Sequence, residues 1–355
     1  MPRHLPPELI LLIFDLIPST STRTEWFETA RMGCLVSRNL RALVQPLLWR
    51  HVRCNFPNLG ANKLQAAATS DLVAHTRILE LSHVIRYRRA TFGAAAAFAK
   101  LERLTVQGLS DPVLSSFLYR VPHLRQLTLA SLILRLDDPV HFPHLTELSL
   151  FGITTTVASY DRILSPTSLP SLRALAISRF SVDRSNRKDF PKLPSELLAR
   201  LHALHLMYYR PSDLRNTPLA LLESPIPKII SFSHISPPEW LPLLHALSSS
   251  PLCALRIANP ADVASLVPIL PLFRTEPPQS HSRPFPLAIF LTTGACNRSD
   301  DLHGKALEEA GANAGMPVVW ETNPLSASKV WTFSLDFFQF VKGLVDRERS
   351  GAGLA

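Results

Sequence analysis

The chain has 355 residues, of which 46% are hydrophobic and 18% charged, a balance that excludes a disordered protein and leaves room for a small module and one larger domain. Its formal charge of +9 would suit nucleic acid or an acidic partner, but the basic residues are dispersed. The densest clusters, at 86–89 and 184–188, are short loop-like runs with no nucleic-acid-binding motif beside them.

The first predicted element is a helix opened by Leu5-Pro6-Pro7-Glu8. Pro6 and Pro7 suit a helix start, where φ is already set and a missing N–H costs little. Glu8 in the first turn complements the positive end of the helix dipole. Leu9, Ile10, Ile13, Phe14 and Ile17 then recur at helical spacing and form a wide apolar face. Pro18 and the polar run to Thr24 end the element, so 18–25 reads as a loop.

A second apolar block runs from Cys34 and steps through Val36, Leu40, Leu43, Val44 and Leu47. Pro46 interrupts it, which predicts two short helices instead of one. Gly33 stands where a stronger helix former is expected. Fifty residues, roughly, is too little chain for a comfortable core, and an apolar face left over on such a module marks a partner surface. A plain amphipathic helix at the front of a globular domain is the bland alternative for any one of these stripes.

The ordered set resembles an F-box: Leu5-Pro6-Pro7-Glu8 at the start, Val36-Ser37-Arg38 in the middle, Pro46-Leu47-Leu48-Trp49-Arg50 at the close. Members of that family hang a substrate-recruiting subunit on a ubiquitin ligase through a Skp-type adaptor. The resemblance implies an adaptor-binding face made of Leu5, Pro6, Glu8, Ile13, Phe14, Val36, Ser37 and Trp49. It places the F-box at 4–52, with a connecting segment at 53–75.

Beyond residue 70 the chain repeats the pattern L-x-x-L-x-L. Copies stand at 101–106, 124–129, 145–150, 172–177, 201–206 and 252–257, with weaker ones at 78–81 and 226–232. The middle apolar residues at 79, 104, 127, 148, 175 and 204 are separated by 25, 23, 21, 27 and 29 residues. These periods resemble a leucine-rich repeat, in which short parallel strands bury one side by stacking on their neighbours. Segments between strands carry helical spacing, at 113–121, 197–201 and 240–247, and prolines before several strands stop the helices. A leucine-rich α/β domain without true repeats is the bland alternative. The Asn or Cys of many such repeats is replaced by Val84, Leu109, Leu132, Ile153, Phe180 and Tyr209, so apolar stacking must substitute for a polar ladder. The 31 prolines against 12 glycines also fit many punctuated turns.

Toward the end, 287–291 and 318–320 read as strands, 273–286 as a loop, 333–345 as a capping helix and 350–355 as a disordered tail. The predicted fold is therefore α/β: an N-terminal three-helix F-box, then an irregular leucine-rich-repeat solenoid over 76–345 with strands on the concave face and helices on the convex one.

Chemistry is hard to find. The cysteines (Cys34, Cys54, Cys253, Cys296) are too scattered for a zinc ribbon, and the histidines form no H-E-x-x-H. Walker, dinucleotide-binding and G-x-S-x-G patterns are absent from the sequence. Cys296 has no nameable partner base, so an idle thiol is the simpler reading. Asn297-Arg298-Ser299 is a formal sequon that a non-secreted chain would not use. No cofactor or metal is expected and the chain reads as a non-enzyme. Scattered cysteines, no signal-peptide pattern at Met1-Pro2-Arg3-His4 and no membrane-length apolar run make it cytoplasmic or nuclear, with no membrane partner.

The resemblance implies a substrate receptor of a Skp–cullin–F-box ligase, acting by proximity. Its partners would be the adaptor, through it a cullin, and a target protein. Strand geometry offers Arg103, Thr105, Gln107, Gln126, Thr128, Glu147, Ser149, Phe151, Ala176, Ser178, His205 and Met207 as the outward, target-facing positions. They are mixed and lightly charged, unlike an arginine cluster for phosphate. Two alternatives stay open: an F-box scaffold outside any ligase, and a basic repeat protein binding RNA or another anionic surface.

Overall fold

The computed structural model describes residues 6–10, 23–55, 60–82, 97–108, 118–121, 123–178, 181–182, 193–207, 229–232, 254–257, 264, 266–268, 288–292, 302–313 and 318–321. Over these residues the chain is α/β with parallel strands. It divides into two compact units, Met1–Gln126 and Leu127–Ala355. Most of the helix expected at 113–121 lies outside the described residues. So do those at 240–247 and 333–345, the loop at 273–286, the tail, and the basic clusters at 86–89 and 184–188.

The first unit opens with helical residues 7–10, where the Pro6 carbonyl accepts the amides of Leu9 and Ile10 at 3.1 and 3.2 Å. Helix α1 (Arg23–Val36) begins inside the polar run that reads as a loop. Helix α2 (Arg38–Trp49) follows after a single residue. That residue, Ser37, is extended (φ −155, ψ 159), and its hydroxyl oxygen accepts the Leu40 amide at 3.1 Å. The break therefore falls at Ser37, not at Pro46, which lies inside α2. An interior proline costs a helix about 3 kcal/mol. Packing offsets it here: Leu43, Val44, Leu47 and Leu48 on both sides of Pro46 close against Ala30 of α1.

Strand β1 (His51–Asn55) follows directly, where the sequence reads the end of the module and a connection. Helix α3 (Gly60–Ala68) and a 3-10 helix (Asp71–His75) lead to β2 (Ile78–Ser82), and β3 (Arg103–Gln107) lies next to it in the order β1-β2-β3. Val52 is aligned with Leu79 and Leu79 with Leu104; Cys54, Leu81 and Val106 form the next row. All six are buried. Each join is made the same way, two successive amides sharing the one carbonyl that stands just before the preceding strand. Arg77 and Ile78 donate to Arg50 at 2.9 and 3.0 Å, Glu102 and Arg103 to Arg77 at 2.8 and 2.9 Å, and Arg125 and Gln126 to Glu102 at 2.8 and 3.0 Å. Trp49-Arg50-His51-Val52-Arg53-Cys54 thus occupies the place of L-x-x-L-x-L, with Trp, Val and Cys for the three leucines.

The second unit contains β4 (Gln126–Leu134), β5 (Glu147–Thr155), helix α4 (Val157–Leu164), β6 (Ala174–Ser178), the short β7 (Ser181–Val182), helix α5 (Ser195–Arg200) and β8 (Ala203–Met207). Then come β9 (Ile229–Phe232), β10 (Ala254–Ile257), β11 (Ala288–Thr292), helix α6 (Leu302–Asn313), which the sequence does not announce, and β12 (Val318–Glu321). Strands stand in the order β4-β5-β6-β8-β9-β10-β11-β12, with β7 beside β5. Leu148, Leu175 and Leu204 form one row and Leu150, Ile177 and Leu206 the next. The shared-carbonyl join recurs: Arg173 and Ala174 donate to Thr146 at 2.9 and 3.0 Å, and His202 and Ala203 to Arg173 at 2.7 and 3.1 Å.

Where a polar ladder residue would stand, Leu132 and Ile153 are buried, while Val84, Leu109, Phe180 and Tyr209 lie outside the described residues. Hydroxyls nearby satisfy the turn backbone instead. Thr155 Oγ1 donates to the Leu134 carbonyl at 2.7 Å, and Ser159 Oγ accepts the Leu136 amide at 2.9 Å.

Candidate functional site

Two surfaces of the first unit combine residue types that a binding protein would use. The first lies on the helices. Ala30 and Val44 are fully buried where α1 meets α2, and Ile10, Cys34, Leu40, Leu43, Leu47 and Leu48 pack around them. Gly33 is buried one turn from Ala30, so the glycine that looks out of place in the sequence lies among the small residues of the packed side. On another side of α1, Met32, Leu35 and Val36 are 59%, 73% and 76% exposed. Their i, i+3, i+4 spacing makes them one stripe.

Of the residues assigned to an adaptor face, Val36 lies in this stripe, and Pro6 and Glu8 are exposed. Ser37 is exposed, and its hydroxyl caps α2. Trp49 is half-buried, and its carbonyl accepts the Thr76 hydroxyl at 3.0 Å, which ties the end of α2 to the first strands. Leu5, Ile13 and Phe14 lie outside the described residues. Met32 and Leu35 are absent from the sequence-derived face; their spacing from Val36 was the available signal.

The second surface is the outward side of β1–β3. Burial alternates along each strand, so His51, Arg53 and Asn55 share a side with Glu80 and Ser82, and with Arg103, Thr105 and Gln107. Glu80 is the centre of this grid. His51 Nε2 lies 2.9 Å from its carboxylate, and the Arg53 guanidinium pairs with its other oxygen at 2.5 Å. Burial pushes the Glu80 carboxyl up, but the hydrogen bonds and charges of His51 and Arg53 outweigh it and hold it down at about 2. Asn55 and Ser82 meet at 3.4 Å in the next row. The outward positions named from the sequence omit β1, whose Trp49-Arg50-His51-Val52-Arg53-Cys54 carries no leucine, and β2, whose 78–81 reads only as a weaker copy of the pattern.

In the second unit the outward positions differ. Glu147 and Ser149 are half-buried. Ala176, aligned with Ser149, is only 2% exposed, and Phe151 only 3%. Phe151 therefore belongs to the core and not to an open face. It keeps its register opposite Ser178, so the side it shares with Ser149 and Ala176 is covered there. Beyond it Gly152 (φ +59) lies against Ser131 (φ +52), and past these two residues the buried positions shift by one along both β5 and β4. Gln126 and Thr128 are half-buried on β4, and Ser178, His205 and Met207 lie on β6 and β8.

Burial raises the thiols of Cys34 and Cys54, against weaker opposing charges from Arg41 and Lys63. Among the described residues no group of three His, Cys, Asp or Glu could hold a metal ion. Cys296 and Asn297 lie outside them. No helix among the described residues is long and apolar enough to cross a membrane. No protein-family model matches this sequence, and no curated protein matches it.

Proposed function

We propose that this chain is the substrate-recognition subunit of a Skp–cullin–F-box ubiquitin ligase. Its N-terminal helices dock on the adaptor, and its strands, read as leucine-rich repeats, hold a target protein. It catalyses nothing itself and works by raising the effective concentration of the target near the ubiquitin-loaded enzyme. The observation that carries the reading is the stripe of Met32, Leu35 and Val36, exposed at 59%, 73% and 76% on a helix pair that closes a small core of its own around Ala30 and Val44. A stripe of three large apolar side chains left in water is a feature of partner surfaces. Aligned rows of leucines and repeated shared-carbonyl joins support the repeat reading.

Co-expression with a Skp-type adaptor and its cullin tests it. The wild type should co-purify with both, and a Leu35→Asp/Val36→Asp variant, altered only at exposed positions, should fold and lose both. Capture of the adaptor without the cullin would favour a scaffold outside any ligase. A folded wild type that ignores the adaptor ends the proposal.

A further inference from the structure

We infer that the outward face of β1–β3 is the target-binding surface and that it takes an acidic, carboxylate-rich segment of the target. This rests on the receptor reading above for the identity of its partner as a target protein, but not for the surface itself. Arg53 stands directly opposite Glu80, and His51 and Arg103 flank Ile78, two residues before it. Neighbouring strands lie about 4.8 Å apart, so all three basic side chains surround one carboxylate.

Glu80 is committed to two of them, His51 at 2.9 Å and Arg53 through its guanidinium. Arg103 is left over. Among the described residues no hydrogen bond or ion pair engages its side chain, and it is half-buried at the middle of the face. Arg53 keeps 54% of its side chain exposed even while paired. The other cations of this kind are occupied by the fold: Arg77 donates to the Lys100 carbonyl and pairs with Glu102, and Arg173 donates to the Arg200 carbonyl. A fixed arginine without a partner, beside a second half-satisfied one, is complementary to carboxylate, which a guanidinium takes through two parallel hydrogen bonds. Asn55, Thr105 and Gln107 can donate to or accept from a peptide backbone, and no large apolar side chain beyond Ile78 stands on the grid. A single unpartnered arginine is a poor match for a polyanionic nucleic-acid backbone, which needs several phosphate contacts.

The probe is a fluorescein-labelled oligoglutamate peptide titrated into the full chain without adaptor, so that failure of adaptor docking leaves this result intact. Binding should weaken about tenfold in Arg103→Glu, the scale of one charge-assisted bidentate contact. Lys305→Glu, at an exposed position of α6 in the second unit, makes the same change in net charge and should leave binding unchanged; circular dichroism checks that both variants fold. Equal losses in the two variants would reduce the effect to overall charge and overturn the inference. So would absence of binding to the wild type, or a single-stranded RNA oligonucleotide bound more tightly than the peptide.

Discussion

The strand faces of the two units share one side and differ on the other. In both, rows of apolar residues align from strand to strand: Val52, Leu79 and Leu104 in the first, Leu148, Leu175 and Leu204 in the second. The opposite sides diverge. β1–β3 present His51, Arg53, Glu80 and Arg103, whereas Ala174, Ala176 and Ala203 of β6 and β8 are nearly or fully buried. The inner rows are fixed by what stacking parallel strands requires. The outer rows are free of that demand, so it is there that the two units differ, one with a polar, partly exposed side and the other with a closed one.

The largest effect should come from the shared side. Leu79→Ala and Leu175→Ala remove side chains that are 0% and 1% exposed, and each should cost about 3 kcal/mol in denaturant titration. A loss well below that in either unit would mean that its row is not a packed core. The divergent side should then separate the units. Ala176→Leu, at a position 2% exposed, should overpack and cost about 2 kcal/mol. Thr105→Leu, half-buried on the polar face, should stay within about 0.5 kcal/mol. Similar costs at both sites would erase the distinction.

Acid sharpens it further. Glu80 is held near pKa 2 in the fold against an ordinary 4.5. A depressed carboxyl stabilises above its unfolded pKa and loses that contribution as pH falls toward its folded one. Wild type should therefore exceed Glu80→Gln by roughly 2 kcal/mol near neutrality, with the gap closing between about pH 4.5 and pH 2. A gap independent of pH would show that the carboxylate charge is not what the pair contributes. The smallest effect belongs to the helices: Ser37→Ala should cost about 1 kcal/mol through loss of the cap on α2.

Much of the strand order was legible because leucine spacing records it. The strands start two residues past the first leucine of each motif, as at Leu101 with β3 and Leu172 with β6. These leading leucines are themselves buried. What escaped the sequence has particular causes. β1 uses tryptophan, valine and cysteine in the leucine places, so no repeat search finds it, and with it went His51 and Arg53. Phe151 reads as outward because alternation assigns it a side but does not report whether that side is covered, as it is at Ala176 as well. Pro46 looked like a boundary because its local cost was visible, while the packing of Val44 and Leu47 that offsets it was not. On the helices, the exposure of Val36 with Met32 and Leu35 follows from their shared i, i+3, i+4 spacing, but which side of α1 is left over shows only in the burial of Ala30 and Gly33.

The proposed division of labour between helices and strands is tested in one measurement: amide hydrogen exchange of the full chain with and without a Skp-type adaptor. Slowed exchange across α1 and the start of α2, with β1–β3 unchanged, is the expected result. An adaptor that leaves α1 unprotected, or that protects β1–β3 instead, would contradict the assignment of the apolar stripe to the adaptor and the strand face to the target.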